Sequence, residues 1–404
     1  MKKTKNKKTD ILIVGCGIAG LTIASTFSKL GYQCICVDQN NIFSTPKKNA
    51  DFRSTAYLNN SVKVFQNNGL WKDLKKISQP MEKMKIYCLS ENEIDSSGFF
   101  NSKDVGDETF GFNLCNYETK EKIIQNLKQN KNIEFIFDVS IENILFRTSE
   151  NILSLSNGEK IKTKLVIAAD GFNSRVREIC NIKKVSKFFN QKALVFQVSH
   201  QKPHKNSSYE FYKNNSSITL VPLKNKFQSA VVLMDKTENV ETLINEEKTL
   251  FEKEINEKTN KIRGELKLLS EKKSYLIKSH YIKKLYSSRL AFVGEAAHSM
   301  PPIGAQGLNT SFSDISELEI IFKNKKDLEN YDICRKNLEK YNRRRLPAIL
   351  STIQAVNALN FTSKTNNQTI KSVRNKTLSF LENNQLLKKF IIKLGSQNFI
   401  HFSK

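Results

Sequence analysis

The chain has 404 residues, enough for two domains or for one large domain carrying an insertion. Its formal net charge is +25, from 65 Lys and Arg against 40 Asp and Glu, a balance that invites nucleic-acid or anionic-membrane partners. No fingered Cys/His module and no RRM-type aromatic signature accompanies that charge, so no nucleic-acid partner is expected. The seven cysteines (Cys16, Cys34, Cys36, Cys88, Cys115, Cys180 and Cys334) are scattered without metal-ligand spacing, which predicts no metal and no disulfide frame.

The start, MKKTKNKK followed by uncharged residues 11–28, has the outline of a secretory leader. Asp10 interrupts that outline and three glycines sit at a meaningful spacing inside it, so a cytoplasmic protein is expected. Residues 11–15 read as a strand, 15–20 as a glycine turn, and 19–30 as a helix with Leu21, Ala24, Phe27 and Leu30 on one face. Gly31 ends that helix and CICVD (34–38) is the next buried strand, together the opening of a βαβ unit. A polar loop over 39–52 leads to a predicted helix over 55–68, closed by Gly69. Strand-like 85–90, a helix over 121–129 and a strand over 134–138 follow. A hairpin turning at Asn157-Gly158 then runs into Asp170-Gly171.

From 190 to 234 the alternation in ALVFQVSH, YEFYK, SITLVPL and SAVVLM predicts an antiparallel sheet. Residues 240–262 read as one charged helix, and RLAFVG (289–294) as a return to buried-parallel style. A helix is predicted from about 307, and the chain from 330 onward is basic and helical. The fold class is α/β: a Rossmann-type nucleotide-binding domain, an inserted antiparallel-sheet domain, a return to the first, and a helical C-terminal tail.

Three short stretches carry the chemistry. Gly15-Cys16-Gly17-Ile18-Ala19-Gly20 fits G-x-G-x-x-G between a strand and a helix. There the first glycine makes the turn, the second admits a pyrophosphate to backbone amides, and the third lets helix and strand pack. Asp38, 18 residues past Gly20 at the end of the second strand, is placed to accept from ribose hydroxyls; the pattern marks a dinucleotide without choosing between FAD and NAD. Asp170-Gly171 ends a buried strand with Ser174, Arg175 and Arg177 close behind. Finally, FVGEAAHSMPPIGAQGLNTSFSD (292–314) ends a strand in Gly294-Glu295, suited to a polyol. Pro301, Pro302, Gly304 and Gly307 then lead a loop into a helix N-terminus that can stabilise developing negative charge. His298 reads as a loop hydrogen-bonder rather than a proton-transfer group.

In that order, GCGIAG, AADGFNSRVR and GEAAHSMPPIGAQGLNTSFSD resemble the motifs of the class A FAD-dependent aromatic hydroxylases, the para-hydroxybenzoate hydroxylase superfamily, over about residues 10–350. DFRSTAYLNNSVKVFQNNGLW (51–71), the loop Pro302-Ile303-Gly304-Ala305-Gln306-Gly307-Leu308-Asn309 and the tail LLKKFIIKLGSQ (386–397) are similar to the ubiquinone-biosynthesis branch. The resemblance implies an NAD(P)H- and O2-dependent monooxygenase that hydroxylates a polyprenyl phenol, or another aromatic small molecule, through a flavin C4a-hydroperoxide. Other chemistry of the same superfamily (small-phenol hydroxylation, isoprenoid reduction) and a non-catalytic flavin-carrying subunit are the alternatives. It assigns FAD to Gly15, Gly17, Ile18, Ala19, Gly20, Asp38, Arg53, Ser54, Asp170, Gly171, Gly294, Glu295, Pro302, Gly304, Gln306, Gly307, Leu308 and Asn309. Arg53, Pro302 and Gly304 position the flavin and set the loop's electrostatics, and no acid or base is assigned.

The implied division gives the FAD-binding domain residues 1–75, 101–182 and 281–345, the substrate domain 76–100 and 183–280, and a helical region 346–404. A ubiquinone-biosynthesis complex and an anionic membrane surface under the basic tail are the implied partners, peripheral to the inner membrane. Three positions depart from the pattern. Glu295 stands where the family has Asp, Asp38 where it has Glu, and Lys120 or Lys122 where it has Arg or Gln.

Overall fold

The computed structural model describes residues 6–41, 51–90, 93–213, 216–363, 372–373, 376–377 and 384–396. The polar loop expected over 39–52 therefore lies mostly outside the described residues, as does Gln397 of the tail. Strand β1 (Asn6–Val14), helix α1 (Ile18–Lys29) and strand β2 (Cys34–Val37) form the expected βαβ opening. β1 lies between β2 and strand Lys160–Ala168, parallel to both, because the segments ILIV (11–14), CICV (34–37) and LVIA (165–168) are apolar and buried on both faces. Strand Ile133–Ile136 extends the sheet beside β2, and Leu290–Phe292 extends it beside Lys160–Ala168. The predicted hairpin is present, Asn151–Leu155 pairing antiparallel with Lys160–Ala168. All of the parallel strands deliver their C-terminal ends to one edge, which is where open α/β sheets bind ligands.

The second sheet has nine strands among the described residues and is antiparallel apart from one pair. Its spine is the long strand Lys184–His200, flanked by Lys273–Ile282 and Gln228–Lys236. Strands Ser216–Pro222 and Ser207–Lys213 continue it, and Lys83–Ser90 joins in parallel with Glu93–Asn101 at its edge. Leu194, Phe196, Val198, Phe211, Leu220 and Leu233 form a core on one face with Val240, Leu243, Phe251 and Ile255 of two covering helices. The opposite face turns toward the nucleotide-type sheet: Tyr275 lies beneath Arg53, and Gln197 donates to the Phe52 carbonyl.

Two elements differ from expectation. The single helix over 240–262 is two, Thr237–Asn245 and Lys248–Lys258, separated by extended Glu246 and Glu247. The break lets both apolar faces meet the sheet, and the Lys272 ammonium donates to the carbonyls of Leu243 and Glu246 that it exposes. The helix expected over 55–68 begins instead as strand Ser54–Leu58, with only Asn59–Asn67 helical. The strand pairs with Gly111–Cys115 because Gly111 allows a close approach: a Cβ there would lie 2.0 Å from the Tyr57 carbonyl oxygen.

Candidate cofactor site

The three motifs meet at the C-terminal edge of the parallel strands. Gly15 sits in the left-handed region (φ 99°), and a Cβ on it would lie 2.4 Å from the carbonyl oxygen of Ala169, so the glycine turn is pressed against the strand that ends in Asp170. A Cβ on Gly294 would lie 3.0 Å from Ser311 Oγ and 4.0 Å from the Ala19 methyl, which brings the third stretch onto the first turn of α1. Backbone bonds complete the junction: Ala169 N donates to Val14 O at 2.8 Å and Val293 N to Ala168 O at 2.9 Å.

Within the glycine turn the positions have separate duties. Gly20 approaches Gly15 so closely that a Cβ would fall 1.9 Å from its carbonyl oxygen, whereas nothing lies within 4 Å of a Cβ on Gly17. α1 has no side-chain cap, so its first amides, from Ile18 and Ala19 onward, are left for an anion. Asp38 accepts from the Cys16 amide at 2.6 Å and the Asn40 amide at 2.9 Å. Each carboxylate oxygen has a second lone pair for a ribose hydroxyl.

Asp170 accepts from the Val176 amide at 3.0 Å through Oδ2, while its Oδ1 is buried without a hydrogen bond. Burial raises its carboxyl above the usual range, outweighing the Ser174 hydroxyl, the Val176 amide and the Arg177 charge that lower it. Gly171 follows at φ 79°. Arg177, buried, donates to Ala296 O at 2.9 Å and Phe172 O at 2.7 Å, tying the Asp-Gly turn to the loop after Glu295.

Arg53 forms a bidentate pair with Asp51, at 2.7 and 2.8 Å, and its guanidinium lies 4.5 Å from the Tyr275 ring centroid. Burial favours the neutral form of the Asp51 carboxyl, yet the hydrogen bonds and charge of Arg53 outweigh it and hold the carboxyl low. Ser54 begins the strand that follows. Glu295 is exposed, with the charges of Arg53 and Lys278 in its field. Pro302 and Gly304 are also exposed, at the lip of the loop, while Gln306 is buried and donates to Gly304 O at 3.1 Å. Gly307 and Leu308 open helix Gln306–Ile321.

The Asn309 side chain is held within the protein. Its Oδ1 accepts from Leu58 N (2.9 Å) and Ser61 Oγ (2.6 Å), and its Nδ2 donates to Ala56 O (2.8 Å) and Ala305 O (2.6 Å). An amide side chain has four such bonds to make, so this side chain shapes the loop, and only the backbone of Asn309 is left for a cofactor. His298 is buried and bonded to Asp314 at 2.7 Å, the structural part read for it. Lys122 reaches Gln125 on its own helix, at 3.3 Å.

Asp51 and Tyr275, which fix Arg53, and Asn116, which donates from its backbone to Arg53 O at 2.8 Å and from its side chain to Asp51 Oδ2 at 3.1 Å, were not legible in the sequence. Asp51 lay two residues from a named arginine, but its partner is set by the strand pairing of 54–58 with 111–115. Arg345 and its partner Asp314 carried no assigned role either.

A flavin dinucleotide fits the residues present. The space over Gly17, the uncapped start of α1 and the unsatisfied Asp170 Oδ1 are complementary to pyrophosphate and polyol hydroxyls.

The FAD binding domain family matches residues 8–355. The chain belongs to that family. This bears out the class A flavin-hydroxylase resemblance. The ubiquinone hydroxylase UbiM of Neisseria meningitidis is 23% identical over 309 residues, 76% of this chain and 66% of its own length. The ubiquinone hydroxylase UbiL of Rhodospirillum rubrum is 23% identical over 78% of this chain and 72% of its own length. Among solved structures, p-nitrophenol 4-monooxygenase PnpA from Pseudomonas putida superposes with a TM-score of 0.77 at 15% identity, over 98% of this chain and 100% of that one. It has the same fold.

Proposed function

We propose that this protein is an FAD-dependent monooxygenase that hydroxylates the aromatic ring of a polyprenylated phenol in ubiquinone biosynthesis, using NAD(P)H and O2. The observation that carries the reading is the convergence of Gly15–Gly20, Asp170-Gly171 and Gly294–Asn309 on one sheet edge, in a chain of the FAD binding domain family. Two relatives named as ubiquinone hydroxylases support the substrate class.

In this reading the amides of Ile18 and Ala19 hold the pyrophosphate, Asp38 a ribose, and Asp170 and Glu295 the polyol. Arg53, fixed by Asp51 and Tyr275, positions the ring, and the start of helix Gln306–Ile321 faces its polar edge. Bound FAD, once reduced, supplies the oxygen-activating chemistry, and the antiparallel sheet roofs the phenol and excludes water. Lys184 and Lys278 stand 4.1 and 3.2 Å from the Phe172 ring centroid beside the Asp-Gly turn, with no ion pair among the described residues. They suit the phosphates of a visiting nicotinamide dinucleotide. No helix among the described residues is long and apolar enough to cross a membrane, and a basic, peripheral approach to an anionic bilayer supplies the prenylated substrate. Helix Gln385–Ser396, with Leu386 and Phe390 exposed, fits that approach.

The test is turnover by purified yellow protein with a short-chain polyprenyl phenol under labelled dioxygen. Expected are phenol-stimulated NAD(P)H oxidation and one labelled oxygen atom in the ring. A reduced isoprenoid product without O2 uptake replaces the reading with reductase chemistry, and a flavin whose reduction by NAD(P)H and reoxidation by O2 the phenol never stimulates points to a non-catalytic subunit.

A further inference from the structure

Behind the loop that opens with Gly294-Glu295 lies a buried charge cluster that the function above does not use. Asp314, on helix Gln306–Ile321, is fully buried, and its two oxygens face different parts of the chain. Oδ2 accepts from His298 Nε2 at 2.7 Å and from the Gly294 amide at 3.3 Å. Oδ1 accepts from Arg345 Nε at 2.8 Å. Arg345 belongs to the long helix Tyr331–Ser363, is 7% exposed, and also donates to Thr310 O at 3.2 Å.

We infer that Arg345, Asp314 and His298 form a positioning brace that fixes the Gly294–His298 turn, and hence Glu295, from the C-terminal helix. The inference rests on the FAD reading of that turn. A buried carboxylate needs compensation; Arg345 provides the opposite charge from outside the loop, and His298 provides geometry. Its Nε2 holds the carboxylate while its Nδ1 is buried without a hydrogen bond. Gly294 is in the left-handed region (φ 61°), a conformation its own sequence does not enforce. Its amide bond to Asp314 fixes it from one helix, on which Ser311 leaves little room for a Cβ at this position. None of the three side chains is assigned to the cofactor; each acts through the turn.

The test uses the full chain. Asp314→Leu, Arg345→Met and the double variant are compared for apo-protein Tm, FAD dissociation constant and the visible flavin spectrum. Each single change leaves one buried charge uncompensated, so both lower Tm and weaken FAD at least tenfold. The double variant removes both charges, so its Tm recovers toward the parent. Its FAD affinity stays at least tenfold weaker and its spectrum shifted, because Gly294 and His298 have lost their acceptor. Should the single variants fail to fold, His298→Gln and His298→Phe decide: Gln, whose amide nitrogen reaches the Nε2 position and can still donate to Asp314, keeps FAD affinity within threefold, and Phe loses at least tenfold. A double variant, or His298→Phe, that binds FAD with parental affinity and spectrum overturns the brace. A parent chain that binds no FAD overturns the cofactor reading instead.

Discussion

The glycine turn at 15–20 and the loop at 294–309, both proposed to hold the flavin, are built by opposite means. The first is shaped by missing atoms: at Gly15 and Gly20 a single Cβ would collide with backbone, and no side chain caps the helix that follows. The second is shaped by side chains placed behind it. Asn309 and Asp314, both fully buried, tie it to strand Ser54–Leu58 and to the long C-terminal helix. A turn made by steric permission is rigid with little support and is written in a short local pattern. A loop held by buried polar groups has more ways to be tuned, and more ways to fail.

Alanine at the first loop should divide its glycines sharply. Gly20→Ala puts a methyl 1.9 Å from the Gly15 carbonyl oxygen, so the turn must open, at a cost of about 3 kcal/mol. Calorimetry of the apo-protein should show a lowered Tm and titration no FAD binding. Gly17→Ala meets nothing within 4 Å, so the fold should hold within about 0.5 kcal/mol while FAD binding is lost to the methyl. Equal damage to folding from both changes would erase the distinction.

In the second loop the sensitive position is the asparagine. Asn309→Ala removes four hydrogen bonds and leaves buried backbone and hydroxyl groups without partners. The expected loss is about 2 kcal/mol by denaturant titration, with weaker FAD binding. By contrast Gly307→Ala has open space around it and should leave the apo-protein as stable as before or slightly more so.

How much of this was legible in the sequence follows the same division. Steric permission is local, so GCGIAG and Asp170-Gly171 located the edge of the parallel sheet, and strand periodicity located the antiparallel sheet. Support from behind is non-local. Asn309 sits inside a readable motif, but its partners at 56–61 lie about 250 residues away, and it was assigned to the cofactor. Arg345 falls in a run of basic residues, Arg343-Arg344-Arg345, in which nothing distinguishes the buried one from its solvated neighbours. The break at Glu246 depended on a lysine 26 residues downstream.

Titration separates the regions more gently. Asp170 is raised by burial, so the folded apo-protein binds its proton more tightly than the unfolded chain. That stabilisation is fully present below the ordinary carboxylate pKa and is lost as pH rises through the folded value. Asp170→Asn should flatten this part of the apo Tm–pH curve, stabilise the apo-protein at neutral pH and weaken FAD about tenfold. The antiparallel sheet and its contacts behave with the opposite sign. Burial, with Arg263 adding to it, pushes His200 down to about 4, and burial with the Arg177 charge pushes His280 to about 3. The unfolded chain takes up protons below about 6.5 that these imidazoles refuse. Stability therefore falls as pH drops from 6.5 toward those values, by at most about 1.4 kcal/mol per pH unit for each group. His200→Asn should remove its share without altering FAD binding.

The smallest effect tests whether the second loop carries any steric requirement of its own. Ala305 lies in the left-handed region (φ 56°), directly after Gly304 at φ 61°, and its carbonyl oxygen is held by Asn309 at 2.6 Å. A residue with a Cβ costs about 1 kcal/mol there, and glycine would relieve it while losing about as much to a freer unfolded chain. Ala305→Gly should therefore change apo stability by about 0.5 kcal/mol or less, and FAD affinity little, because the asparagine and not the residue type fixes the turn. In an Asn309→Ala background the same substitution should matter more, since the left-handed conformation then has to be favoured by the residue itself. A double-mutant cycle reads that coupling directly. Simple additivity would mean that Asn309 does not hold Ala305, and that the second loop is closer in construction to the first than its hydrogen bonds indicate.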